Sequence, residues 1–239
     1  MEIDLAVSTV IFALRSSGSF GADERDRSIW LPLVRRIRAP YDGMWALPGG
    51  LLGEREDLAD AATSTLSKTT GLAPRYLEQL YAFGSPERSG AADSRVVSIV
   101  YWALVGEEEA RAARIGQNVR WFKADELPQL AFDHNAIVEY ALWRLRNKVE
   151  YSRIASGFLG ETFTLAQLRE AYEAVLGRTL DPANFRRQIE ASGAVVDTGT
   201  VLTGVRHRPP RLYRAATDPH GAEPDFGKTT QAIRAGEKK

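Results

Sequence analysis

Residues 38–72 hold the pattern that most narrows what this chain can fold into. A run dense in glycine and proline, Arg38-Ala-Pro-Tyr-Asp-Gly-Met-Trp-Ala-Leu-Pro-Gly-Gly50, leads through a polar stretch into a helix that a glycine stops. Glycine and proline force turns there, and backbone without side chains can approach a ligand closely. Leu58, Ala62 and Leu66 recur at i, i+4 and i+8, which predicts an amphipathic helix over 58–70, ended at Gly71. Glu54, Asp57 and Asp60 lie near its start, where negative charge suits the helix dipole. Its later turns carry Ser64, Thr65, Lys68 and Thr69, three hydroxyls and an ammonium with no carboxylate among them.

Around this segment the sequence is rich in short β-branched runs. Val7–Leu14 and Ile29–Arg35, separated by a polar loop at 16–28, read as adjacent strands. Further strands are predicted at Tyr76–Phe83, Arg95–Val105 and Val119–Lys123. Asp133 is placed to N-cap a long helix, His134–Lys148, with Ile137, Ala141 and Leu145 along one face. That helix closes a first domain, 1–150. The apolar run Leu5–Leu14 lacks a basic start and a cleavage motif, so it reads as a buried strand, and the chain is expected to be cytoplasmic with no membrane partner. Cysteine is absent, which excludes disulfides, thiol nucleophiles and zinc–thiolate sites. The three histidines, His134, His207 and His220, are not spaced as a metal pair or triad.

The texture changes after residue 150. Thr164 with Gln167 forms a capping-box pattern opening a helix that runs to Leu176 and stops at Gly177. Asp181-Pro182 gives an N-cap followed by proline at the first helical position, and the next helix spans 182–192. Two runs, Ala194–Asp197 and Val201–Val205, then read as a hairpin leading into the basic segment Arg206-His-Arg-Pro-Pro-Arg-Leu-Tyr-Arg214. Helix, turn, helix and a basic-tipped hairpin is the order of a winged helix-turn-helix, assigned to 151–215, with 216–239 expected to be a disordered tail. The whole chain balances 31 basic against 31 acidic residues, yet within 178–214 seven arginines face only Asp181, Glu190 and Asp197. On the second helix Phe185 and Ile189 should face the core, while Asn184, Arg186 and Arg187 flank or oppose that stripe. In helix-turn-helix docking such positions read bases in the major groove. The wing arginines Arg206, Arg208, Arg211 and Arg214 suit phosphate or minor-groove contacts.

Gly50, Glu56, Leu66, Gly71 and Leu72 fall where the Nudix signature requires them, whereas its arginine and three metal-binding glutamates are replaced by Ser64, Thr65, Lys68 and Thr69. With both halves in place, the chain resembles the NrtR family, Nudix-related transcriptional regulators of NAD metabolism. The marks are Arg35-Arg-Ile-Arg-Ala-Pro-Tyr-Asp-Gly-Met-Trp-Ala-Leu-Pro-Gly-Gly50, Tyr76-Leu-Glu-Gln-Leu-Tyr81, Phe132-Asp-His134 and Arg211-Leu-Tyr-Arg214. The resemblance implies an α/β fold, a Nudix α/β/α sandwich followed by a C-terminal winged helix-turn-helix. It also implies a homodimer on double-stranded operator DNA that ADP-ribose or a related nucleotide releases, this ligand being regulatory and no other cofactor expected.

Hydrolysis is not expected. Nudix hydrolases hold Mg²⁺ through glutamates, and a divalent ion ~4 Å from an ammonium such as Lys68 would be repelled by about 8 kcal/mol at an effective dielectric of about 20. For the effector, Arg36, Arg38, Arg88 and Arg95 are candidate diphosphate partners, because guanidinium forks match phosphate oxygens. Each is as readily a surface salt-bridge partner. Trp45, Tyr81 and Phe83 suit either adenine stacking or the core, and the resemblance places Gly49 and Gly50 at the ligand floor. The alternative class is an active hydrolase of the ADP-ribose pyrophosphatase kind carrying an accessory domain.

Overall fold

A strand buried at every position is covered on both faces, and Val7–Leu14 is such a run, apolar but for Ser8 and Thr9. In the computed structural model, which describes residues 3–16, 27–71, 76–89, 95–113, 117–151, 153–204 and 209–216, it lies in β1 (Ile3–Ser16) at the middle of a seven-stranded sheet. The sheet order is β3 (Trp45–Ala46), β2 (Arg27–Arg35), β1, β6 (Arg95–Val105), β5 (Tyr76–Phe83); β4 (Gly49–Leu51) also pairs with β1 and β7 (Val119–Lys123) with β2. β1 and β6 run parallel from Ile3↔Arg95 to Ala13↔Val105, and the remaining pairings are antiparallel.

Alternation along β1 and β6 divides the core into two layers. Val10, Phe12, Leu14, Trp102 and Leu104 pack with Ile137, Ala141 and Leu145 of α3 (His134–Tyr151). Ile11, Ala13, Ala103 and Val105 face the other way, onto Leu66 of α1 (Leu58–Thr70) and Ala110 of α2 (Glu107–Ala112). This is the α/β/α sandwich. α1 keeps the sequence-predicted bounds, with Asp57 capping Ala59 N–H and Gly71 in the left-handed conformation at φ 72°. Leu72 lies outside the described residues.

The second half holds α4 (Leu165–Leu176) and α5 (Pro182–Ala191), each opened by the expected cap: the reciprocal Thr164–Gln167 box, and Asp181 accepting from Asn184 N–H. The hairpin differs from expectation. Its strands are β8 (Val195–Val201) and β9 (Arg211–Ala215), so Val201 ends the outgoing strand and Arg211 and Arg214 stand on the return strand. Val201–Val205 has the local composition of a strand, but the return strand supplied by the fold begins ten residues further on, at Arg211, which pairs with Val201. Phe163 and Tyr213 exchange backbone hydrogen bonds of 2.9 and 2.8 Å, which ties the start of the winged unit to β9.

The two halves share one hydrophobic core. The cluster containing Phe12, Trp102 and Leu145 continues through Phe158 to Leu168, Ala171, Val175, Phe185, Ile189 and Tyr213. Polar ties cross the same seam. Arg27 pairs with Glu107 at 3.2 Å and with Glu170 of α4 at 3.0 Å, and Arg146 Nε donates to the Val175 carbonyl at 3.1 Å. Among the described residues no helix is long and apolar enough to cross a membrane.

Candidate ligand cleft and nucleic-acid interface

The turn-rich segment and α1 together enclose a cleft of about 450 Å³, within the range of small-molecule sites. Its walls come from the end of β2 and the following loop (Arg35, Arg36, Arg38), from β3–β4 with Gly49 and Gly50, and from α1 with Ser64, Thr65 and Lys68. The two glycines serve different ends. A Cβ on Gly49 would sit 2.7 Å from the Val7 carbonyl oxygen and 2.8 Å from Ser8 Oγ, so close pairing of β4 with β1 requires glycine. A Cβ on Gly50 would meet nothing within 4 Å, so that position leaves open room in the cleft.

The polar inventory is cationic. Four basic side chains line the cleft against the single carboxylate of Glu56, whose Oε2 accepts from Gly53 N–H at 3.4 Å. Thr69 turns its hydroxyl back onto the Thr65 carbonyl at 2.7 Å. Among the described residues no three His, Asp or Glu side chains converge on one point. The Mg²⁺ that a Nudix fold implies wants several hard oxygen ligands, and Glu56 with Ser64, Thr65, Lys68 and Thr69 does not form such a set.

Behind the cleft the loop is fixed to the start of α3. The Leu47 N–H donates to His134 Nδ1 at 2.9 Å in a buried contact. Burial, opposed by Asp133 and reinforced by Arg88 and Arg36, lowers the His134 pKa to about 4, so the imidazole is neutral. The Arg36 guanidinium lies over the Phe132 ring at 4.7 Å and donates through Nε to the Pro40 carbonyl at 2.8 Å. Tyr41 meets the same ring edge-on at 4.8 Å. Tyr41 and Phe132 both adopt positive φ, 66° and 56°, a costly conformation for bulky side chains that persists only where the surroundings impose it.

The sequence-predicted effector residues therefore divide. Arg36, Arg38, Gly49 and Gly50 come together in the cleft. Trp45, Phe83, Arg88 and Arg95 do not line it. Arg88 is a correction: its guanidinium forms a bidentate pair with Asp133, both contacts 2.8 Å, and donates to the Phe83 carbonyl at 3.0 Å and Ser98 Oγ at 2.8 Å. Its side chain is only 6% exposed, which leaves no open fork for a phosphate. The same contact turns the Asp133 carboxylate toward Arg88. Arg95 donates to the Gly84 carbonyl at 3.0 Å. Trp45 packs edge-on against Phe122, and Phe83 against Tyr81 and Tyr140, Trp45 and Phe83 both partly buried against the main core. Sequence reasoning missed Arg35 as a cleft residue, and took Lys68 only as a charge against a metal, not as an effector partner. The i, i+4 spacing of Ser64 and Lys68 was the available signal.

On α5, Phe185 and Ile189 are buried while Asn184, Arg186 and Arg187 are exposed. Arg187 Nη2 donates to Asn184 Oδ1 at 2.7 Å, joining the two into one polar edge, and Arg186 pairs with Glu190 at 3.1 Å. On the hairpin Arg211 pairs with Asp197 at 2.6 Å, and Arg214 is exposed opposite Val196. Arg206, His207 and Arg208 lie outside the described residues, as does the segment 217–239.

Comparison with known proteins covers both halves. The model of the NUDIX domain matches residues 16–141, and that of the NrtR DNA-binding winged helix domain matches residues 155–215. The chain is 32% identical to the ADPR responsive transcriptional repressor NtrR of Acinetobacter baylyi, over 77% of this chain and 74% of that protein. It is 33% identical to the ADP-ribose pyrophosphatase of Methanocaldococcus jannaschii, over 52% of this chain and 72% of that protein. The crystal structure of Shewanella oneidensis NrtR superposes with a TM-score of 0.74 at 33% identity, covering 89% of this chain and 94% of the other. Its complex with a 27mer DNA gives 0.73 at 31% identity, covering 89% and 93%.

Proposed function

The chain belongs to the NrtR family, and from that premise we propose that it is an ADP-ribose-responsive transcriptional repressor of NAD-metabolism genes. The observation that carries this reading is the union of two parts in one core. A cationic, carboxylate-poor nucleotide cleft is continuous with a winged helix whose second helix exposes Asn184, Arg186 and Arg187. The Nudix half senses and does not hydrolyse. The winged half binds operator DNA, as a homodimer placing one α5 in each of two half-sites a helical turn or two apart. ADP-ribose enters the cleft, acts on the loop that Leu47 and Arg36 fasten to the head of α3, and releases DNA. Shifting such a switch from 1:99 to 99:1 takes about 5.5 kcal/mol of preference between the DNA-competent and released forms.

The test is fluorescence anisotropy on labelled DNA from upstream of the organism's own NAD biosynthesis and salvage genes, with and without ADP-ribose. Tight, sequence-dependent binding that ADP-ribose weakens is the expected result. The reading fails if ADP-ribose binds the free protein and leaves operator affinity unchanged, because coupling between two ligands is reciprocal. The pyrophosphatase relative makes hydrolysis the competing reading. Mg²⁺-dependent release of AMP from ADP-ribose would establish it, and none is expected.

A further inference from the structure

We propose that the α1 wall of the cleft is a metal-independent diphosphate subsite in which the Lys68 ammonium meets the anion directly. The proposal rests on the effector reading above and specifies how that site binds its ligand. Ser64, Thr65 and Lys68 lie three and four residues apart, so they share one helix face, and all three border the cleft. Arg36 and Arg38, from the loop after β2, and the open position at Gly50 line the same cleft. Lys68 is exposed and forms no hydrogen bond or ion pair among the described residues, and the same holds for the Arg38 side chain.

The donor set decides between a cation and an anion. A divalent cation would find one carboxylate, Glu56, already leaning on the Gly53 N–H, and a facing ammonium. A diphosphate would find that ammonium, the arginines of the loop after β2 and the Ser64 hydroxyl, all of them donors. In this geometry Lys68 supplies in place the positive charge that a bridging metal would otherwise bring. The ligand class is a nucleoside diphosphate ester, or any molecule presenting the same diphosphate.

Isothermal titration of the full chain with ADP-ribose, in excess EDTA and in excess MgCl₂, tests this with three variants. Wild type should bind equally well in both buffers. Lys68→Met should weaken binding about tenfold or more in both, while Lys68→Arg should keep most of the affinity. Lys68→Glu should lose binding in EDTA and recover part of it with Mg²⁺, since the new carboxylate joins Glu56. Wild-type binding that requires Mg²⁺, or Lys68→Met binding like wild type, overturns the subsite and leaves the regulator standing. ADP-ribose binding in neither buffer overturns the effector reading instead. Inorganic pyrophosphate in EDTA then decides the subsite, with binding that Lys68→Met abolishes upholding it and no binding overturning it.

Discussion

His134 accepts the Leu47 N–H through Nδ1, and an imidazolium has no lone pair left to do so. Its folded pKa of about 4 lies below the ordinary 6.5, so the unfolded chain takes up a proton that the folded chain refuses between those values. Stability is therefore full above the unfolded pKa and is lost as pH falls from there toward the folded one, by up to about 3 kcal/mol. Urea denaturation at about pH 7 and about pH 5 should show roughly 2 kcal/mol of that loss, and a His134→Gln variant should flatten it. The neighbouring pair makes a second prediction. Arg88→Ala strands the half-buried Asp133 carboxylate and should cost about 2–3 kcal/mol, seen as a lower Tm. Because Arg88 does not line the cleft, ADP-ribose affinity of the folded variant should change little. An arginine between two turns reads as surface, and only the fold reveals that its partner is Asp133, 45 positions away.

At the scale of elements, α5 separates folding from recognition on one short helix. Phe185 and Ile189 hold it to the core, and Asn184 and Arg187 form the outer edge. Alanine at Phe185 should cost about 3–5 kcal/mol of stability and take DNA binding with it. Alanine at Arg187 should leave Tm within experimental scatter and weaken specific DNA binding by about 1–3 kcal/mol, measured by anisotropy against operator and scrambled duplexes. Elements governed by local chemistry were legible in the sequence: α1 from its stripe and Gly71, α4 from its capping box, α5 from Asp181-Pro182, β6 from its apolar run and β5 from its aromatic-rich one. Those set by distant partners were not. β3 and β4 are two and three residues long and exist because β2 and β1 offer them edges. α2 is a six-residue helix with three adjacent glutamates, too short to show a stripe. In the cleft, Arg36, Arg38, Gly49 and Gly50 were readable from one contiguous segment, whereas the contribution of Lys68 required α1 to be laid against that segment.

Across the whole molecule, the winged unit is seated on the sandwich, not tethered to it. α4 turns Leu168, Ala171 and Val175 into the common core, and Arg27 clasps Glu107 and Glu170 at the seam. These ion-pair partners are largely buried, so removing one leaves charge without compensation. Arg27→Ala should raise amide hydrogen exchange in α4 and α5 while leaving β1 and β6 protected, as mass spectrometry of exchanged peptides would show. The parallel pairing of β1 with β6 has a further consequence during synthesis. β6 begins about 80 residues after β1 ends, so at ~5–20 residues per second the apolar run of β1 waits roughly 4–16 s for its neighbour to leave the ribosome. The earliest strand made keeps one edge open until β6 arrives, and the nascent chain depends throughout that interval on whatever shields Val7–Leu14 from other chains.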